Sequence, residues 1–355
     1  RAMTDGQTHY TAPAGIIPLR QGIARKLKEE NKLSYDPNEI VVTPGSSGAV
    51  GLALLTMIDP GEEVLLPDPA WFHYATLVEL AGGIPKRVAL DVKDGFTIHA
   101  SSIEKAASQK SKALILNSPS NPMGRVFSRS ELEEVAGAAE RLSLTVLSDE
   151  IYEKIVYPPH SHVSIGSLSG MRDRTIVVNG FSKGYALMGW RVGYAAAPIE
   201  ISRKLESLLG YTLVCAGSVS QYAALEAIQN PKSREYTRKM VEAWTRRRDI
   251  VMRHVYENST VVSANPPEGT FYGWVDVSGS GLDGKHAASL ALEKAKVGVM
   301  PGNLFGEGGR NHVRISFATS DDIVEEGMKR FCNVLTVASK VNNDNRKLTH
   351  VEQIK

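Results

Sequence analysis

The chain has 355 residues, 42% of them hydrophobic and 23% charged, with 41 Lys and Arg against 39 Asp and Glu and a formal net charge of +2. A balance this even gives no electrostatic basis for binding nucleic acid or an anionic membrane. No apolar stretch approaches the ~20 residues of a bilayer-spanning helix, and two distant cysteines, Cys215 and Cys332, suit a reducing, cytoplasmic setting.

The length predicts about two domains. Apolar runs of strand length fall at 39–42, 63–66, 112–116, 144–147, 175–178 and 191–195. Several are apolar nearly throughout, as strands covered on both faces are. Between them, Gly45–Met57 and residues 128–142 have helical character, the second opening on the capping box Ser128-Arg129-Ser130-Glu131. This alternation predicts an α/β fold with a mostly parallel sheet flanked by helices on both faces. A long charged helix is expected over 233–256, its run Arg246-Arg247-Arg248-Asp249 forming a solvated face. Strands at 270–277 and 312–317, with helices at 285–296 and 321–339, predict a smaller α+β domain. The expected division is 1–240 and 241–355. The polar tail over 341–355 is expected to fray.

Ligands of such sheets bind beyond the carboxyl ends of the strands, so polar residues just after strands are the candidates. Thr43-Pro44-Gly45-Ser46-Ser47-Gly48 places glycine and small hydroxyls at a helix start, where free amides suit a phosphate. It lacks the Gly-Lys-Ser/Thr ending of a P-loop, and a plain capped turn would also explain it. Asn117-Ser118-Pro119-Ser120-Asn121-Pro122-Met123-Gly124 fixes an irregular loop that can present the Asn121 amide. Asp149, at the end of a buried strand, must be paired, with backbone amides or with a ligand. Lys183 follows a strand among aromatic and small residues, where burial would lower its proton affinity as imine formation requires. Arg191 begins the next expected strand, and Arg314 sits inside the apolar run His312-Val-Arg314-Ile-Ser-Phe, available to an anion or to an internal partner. His160 and His162, on a proline-rich loop with no nearby cysteine or acid in the sequence, are read as surface residues, and no metal is expected.

Taken together, Ser182-Lys183-Gly-Tyr-Ala-Leu-Met-Gly-Trp190-Arg191-Val-Gly193, Asn121-Pro122-Met-Gly124 and Asp149-Glu-Ile-Tyr152 resemble the class I/II aminotransferases, in the family's order and over almost the whole chain. The resemblance implies the aspartate aminotransferase-like fold type I, with a seven-stranded-type sheet, and pyridoxal 5′-phosphate as cofactor. It implies an enzyme that moves an amino group between an L-amino acid and a 2-oxo acid. Lys183 would hold the cofactor as a Schiff base and shuttle the proton at the substrate Cα. Asp149 would pair with the ring nitrogen, Asn121 and Tyr152 would bond the ring oxygen, and Trp71 would stack on the ring. Ser46, Ser47, Ser182 and Arg191 would hold the phosphate, joined by Tyr10 from the neighbouring subunit of a homodimer with shared sites. Arg314 would grip the substrate α-carboxylate, with Trp71 and Asn121 beside it.

The same cofactor supports carbon–sulfur β-elimination and related substitution chemistry, the main alternative. A non-catalytic cofactor-sensing regulator domain is more remote, because Lys183 and Arg314 are both present and no DNA-binding domain is visible. Three departures stand out. The family's N-terminal arm, with its Gly-x-Pro segment and first helix, does not precede Arg1. Ser46-Ser47 stand where some dicarboxylate-specific relatives carry a lysine, and Gly180 stands where many carry a third phosphate-binding hydroxyl. Tyr211 and Phe271 are candidates for the side-chain pocket.

Overall fold

The computed structural model describes residues 2–352, with side chains described as far as Val341. The main sheet has seven strands: β1 (Ile40–Thr43), β2 (Glu63–Asp68), β3 (Ile84–Ala89), β4 (Ser111–Asn117), β5 (Thr145–Asp149), β6 (Thr175–Gly180) and β7 (Gly193–Ala196). Their order is β1-β7-β6-β5-β4-β2-β3, with β2 to β6 mutually parallel and β7 antiparallel to both neighbours. Six of the seven match the apolar runs. The unexpected one, β3, is an edge strand of sequence Ile-Pro-Lys-Arg-Val-Ala, mostly exposed along its length. Proline and charge at an edge protect it from further pairing and erase the apolar signal.

Helices α1 (Ile17–Asn31), α2 (Gly45–Met57), α3 (His73–Leu80), α4 (Ala100–Ala106), α5 (Arg129–Arg141), α6 (Ile199–Thr212) and α7 (Ser218–Gln229) flank this sheet. The strands feed two cores because successive side chains point to opposite faces. Val64, Leu66, Ile115 and Leu147 pack with Ala49, Val50, Ala53 and Leu205 of α2 and α6. Leu65, Leu114, Leu116 and Val146 pack with Ile103, Leu132 and Val135 of α4 and α5. The capping box forms as expected: Ser128 Oγ accepts from Glu131 N at 3.2 Å and Ser128 N donates to Glu131 Oε2 at 2.8 Å, an arrangement whose cap alone stabilises by about 1 kcal/mol.

The chain continues through α8 (Pro231–Glu257), β8 (Tyr272–Asp276), α9 (Gly284–Leu290), β9 (Met300–Pro301), β10 (His312–Ser316) and α10 (Asp321–Glu352). These strands form a second, antiparallel sheet in the order β8-β10-β9. Its core joins Trp244 and Val251 of α8 to Val275, Val313 and Phe331. Two expectations change here. Only Arg246 of the basic run is mostly exposed; Arg247 bonds Asp321 at 2.7 Å and Arg248 bonds Asp249, so the face is ion-paired rather than simply solvated. The helix expected over 321–339 is longer: α10 runs on to Glu352, with no proline or glycine in that stretch to stop it. Residues 353–355 of the polar tail lie outside the described residues.

Candidate active site

Adjacent parallel strands place Asn117 opposite Asp149 at the carboxyl ends of β4 and β5. The next strand, β6, ends at Gly180 and delivers Ser182 and Lys183 to the same edge. A cavity of about 280 Å³ opens there, lined by Ser46, Ser47, Trp71, Asn121, Asp149, Tyr152, Ser182, Lys183, Arg191 and Arg314 among others. Ten of the eleven residues to which the resemblance assigns a catalytic, cofactor-binding or carboxylate-binding role therefore meet in one place. Tyr10 is the exception: it is 84% exposed and does not line this cavity.

Asp149 is buried, with Oδ2 accepting from the Tyr74 hydroxyl at 2.7 Å and Oδ1 from Ile151 N at 3.2 Å. Among the described residues no cation forms an ion pair with it, and burial pushes its carboxyl up to about 6, against the opposing hydrogen bonds of Tyr74 and Ile151. Lys183 is half-buried, its Nζ lying 5.5 Å from the Phe271 ring centre and 5.9 Å from that of Tyr152. Burial lowers its proton affinity, the nearby charges of Arg314 and Arg191 lower it further, and Asp149 opposes them. An amine in this setting gives up its proton more readily than a surface lysine, which is what a nucleophilic lysine needs.

One end of the cavity gathers groups that suit an anion. Ser46 and Ser47 are the second and third residues of α2, where amide N–H groups have no helical partner. Arg191 is not in a strand as expected. It takes a left-handed conformation (φ 53°) just before β7, and its guanidinium packs where a Cβ on Gly45 would collide with it. The strand starts late because its first residue lies against the start of α2, and a Cβ on Gly193 would collide with the Ser46 amide. Gly180 is similarly confined, since a Cβ there would sit 2.9 Å from Gly193 Cα. The departure at Gly180 thus serves the packing of β6 on β7.

The opposite end holds Arg314 on β10. Its Nη1 donates to Asn121 Oδ1 at 2.8 Å, and its guanidinium carbon lies 4.2 Å from the Tyr272 ring centre and 5.0 Å from that of Phe305. Its Nε is buried without a partner among the described residues, a costly condition that a bound carboxylate would relieve. Asn121 is fixed in turn by its backbone N, which donates to Asn117 Oδ1 at 2.7 Å, and Asn117 Nδ2 donates to Asp149 O at 2.9 Å. Trp71 stands half-buried at the cavity, edge-on to Tyr74 at 5.1 Å. The Tyr152 hydroxyl lies 3.1 Å from that of Tyr272, and burial first, then Tyr272 and Asp149, keep it protonated far above the ordinary tyrosine range.

The sequence reading did not single out Asn117, Tyr74 or Tyr272 as site residues. Tyr74 follows Trp71 by three residues, on its side of a helix start, which was a usable signal. Asn117 closes a strand as Asp149 does. Tyr272 becomes visible only through strand register: β8 pairs Trp274 with Arg314 and Tyr272 with Ser316, making Tyr272 a diagonal, same-face neighbour of Arg314. Neither guess at a side-chain pocket lands there. Tyr211 is 89% exposed, and Phe271 is buried behind Lys183, packed on Tyr152 and Trp244.

The histidine loop also differs from expectation. His160 is exposed, but His162 is largely buried with Nε2 3.1 Å from Glu150 Oε2, and Glu150, Glu153 and His162 converge. The acids are near in space although distant in the local sequence. Their oxygens are already engaged: Glu150 accepts from Ser148 and Ser164, and Glu153 pairs with the Lys26 ammonium and Asn31. An ammonium against Glu153 supplies the charge that a metal ion would otherwise bring.

The model of the family described as aminotransferase class I and II matches residues 1–333. An aspartate aminotransferase of Pyrococcus abyssi is 41% identical over 94% of this chain and 86% of its own length. Aromatic-amino-acid aminotransferase 2 of Thermococcus litoralis is 38% identical over the same shares. The solved aromatic aminotransferase from Pyrococcus horikoshii superposes with a TM-score of 0.92 at 40% identity, covering 94% of this chain and 90% of that one. The aspartate aminotransferase from Thermus thermophilus, solved with maleate, gives 0.90 at 36% identity over 94% and 86%. The chain belongs to the class I and II aminotransferases, a pyridoxal-phosphate-dependent family, and is itself an aminotransferase.

Proposed function

We propose that this cavity holds pyridoxal 5′-phosphate on Lys183 and exchanges the amino group of an L-amino acid with that of a 2-oxo acid. One observation carries the reading: an amine with lowered proton affinity shares a cavity with a buried carboxylate lacking a cation and an arginine with an unpartnered Nε. The residues present fit the cofactor at each end. The amides and hydroxyls of Ser46 and Ser47, with Ser182 and Arg191, would hold its phosphate. Asp149 would take the ring nitrogen, giving this carboxylate the cation it lacks. Asn121 and Tyr152 would meet the ring oxygen, and Trp71 the ring face. When bound, the cofactor supplies an aldehyde carbon for imine formation and a cationic ring that accepts electrons from the substrate Cα.

The chain's own groups do the rest. Asp149, ionised, would hold a proton at the ring nitrogen. Lys183, whose proton affinity is lowered, would serve as the base that takes and returns a proton at the substrate Cα. Arg314 receives the α-carboxylate in a bidentate pair, which orients Cα–H toward Lys183. The aromatic and aliphatic walls of Trp71, Phe72, Ile151, Met188 and Met300 limit water.

We also read the chain as two domains, 1–240 and 241–355, supported by its separate seven- and three-stranded sheets. A homodimer with shared sites is supported by Tyr10, exposed on the segment whose Pro13 packs near Gly210 of α6, and by exposed Trp190, Tyr211 and Leu213. Cytoplasmic action is supported by the two free cysteines; no helix among the described residues is long and apolar enough to cross a membrane.

The test is a single half-reaction. Cofactor-loaded protein mixed with one L-amino acid and no acceptor should release one 2-oxo acid per site and lose its visible band, which a second 2-oxo acid restores. Release of pyruvate and ammonia from a cysteine conjugate, with the band unchanged, would instead assign β-elimination. Rates with phenylalanine, aspartate and alanine then read out the side-chain pocket.

A further inference from the structure

We infer that Tyr272 is a positioning residue that joins the two halves of the site: its hydroxyl orients Tyr152 and its ring orients Arg314. The inference rests on the reading above, in which Tyr152 meets the cofactor and Arg314 the substrate carboxylate. Tyr272 opens β8, is buried, and lines the cavity with both partners. Among the described residues the hydroxyls of Tyr152 and Tyr272 have no hydrogen-bond partner but each other, at 3.1 Å. A phenol carries one proton. If Tyr152 donated to Tyr272, that proton would be spent inside the protein. With Tyr272 donating, the Tyr152 proton is left for the cavity, where an anionic ring oxygen would select it.

The ring has a separate task. Arg314 has a single side-chain hydrogen bond among the described residues, to Asn121. One bond leaves a guanidinium free to swing, so its plane is set by the aromatic surfaces of Tyr272 and Phe305. The register of β8 on β10 puts Tyr272 and Arg314 on one sheet face, so both tasks belong to one rigid side chain. The charged and titratable groups facing the Tyr152–Tyr272 pair are Asp149 from β5, Lys183 from the loop after β6, Tyr74 from α3 and Arg314 from β10.

The two tasks separate experimentally. Tyr272→Phe keeps the ring and removes the hydroxyl; Tyr272→Leu removes both; Tyr152→Phe is the reference. The readouts are the pH midpoint of the visible band of cofactor-loaded protein and the KM for an amino donor. Tyr272→Phe should move the midpoint in the same direction as Tyr152→Phe, by about 0.5 pH unit or more, the scale of one neutral hydrogen bond. Its KM should stay within about threefold of the parent, while Tyr272→Leu raises KM about tenfold. A Tyr272→Phe protein that titrates with the parent would overturn the hydroxyl role, whether or not Tyr272→Leu folds. A parental KM in folded Tyr272→Leu would overturn the ring role. If the parent forms no visible band with pyridoxal phosphate, the cofactor reading falls first and this one with it.

Discussion

Two buried carboxylates four residues apart, Asp149 and Glu153, stand in opposite electrostatic settings. Asp149 faces the cavity, is held by a phenol and one amide, and is pushed up to about 6, chiefly by burial. Glu153 faces α1; burial acts against its charge too, but the nearby charges of Lys26 and Lys154 and the Lys26 hydrogen bond outweigh it and hold its carboxyl down to about 2. Burial that disfavours both charges thus gives opposite outcomes, decided by whether the protein itself provides the counter-charge. A carboxylate that is paired internally is scaffold. One that is buried and left without a cation beside a cavity is where a cation brought from outside would gain most.

The contrast can be broken from either side. The largest effect belongs to Lys183→Ala, which should lower turnover at least about 1,000-fold, because no other amine lines the cavity among the described residues; steady-state assays at saturating donor would show it. Lys26→Met should remove the ammonium in direct contact with Glu153 and cost about 3–5 kcal/mol of stability. That loss should appear as a fall of roughly 5–10 °C in melting temperature, while the visible spectrum of the loaded protein stays unchanged. A spectral change on this substitution would mean the two settings are not separate. Arg314→Lys keeps a charge but loses the fork and the ring contact, and should lower kcat/KM about 100-fold, mostly through KM.

The smallest effect concerns pH. Because burial pushes the Asp149 carboxyl up to about 6, binding a ring cation below that pH must release a proton. Cofactor affinity should therefore rise with pH through this region, by at most about tenfold per unit, and fall below it. For the cofactor-free protein the sign is opposite. A carboxyl raised from 3.8 to about 6 loses stability as pH rises between those values. Equilibrium binding in a series of buffers would show the slope, and Asp149→Asn should flatten Asp149's share of it.

Much of this was legible in the sequence, for identifiable reasons. β1, β2, β4, β5 and β6 are covered on both faces and so wrote continuous apolar runs, which made the residues just after them conspicuous. Lys183, Asp149 and Asn121 were found that way. β3 escaped because an exposed edge carries charge and proline. Arg191 was misplaced because the apolar run it opens does not reveal that contact with α2 delays the strand to Gly193. Tyr272 and the Glu153 network were invisible because each depends on register or on contacts between segments more than 100 residues apart. Local periodicity carries no such information.

The most direct test is where the cofactor attaches. Protein loaded with pyridoxal phosphate is reduced with borohydride, digested, and sequenced by mass spectrometry. The cofactor mass should sit on the peptide containing Lys183, at one per chain, and be absent from Lys183→Ala treated alike. Label on a different lysine, or equal labelling of the variant, would contradict the assignment of this cavity.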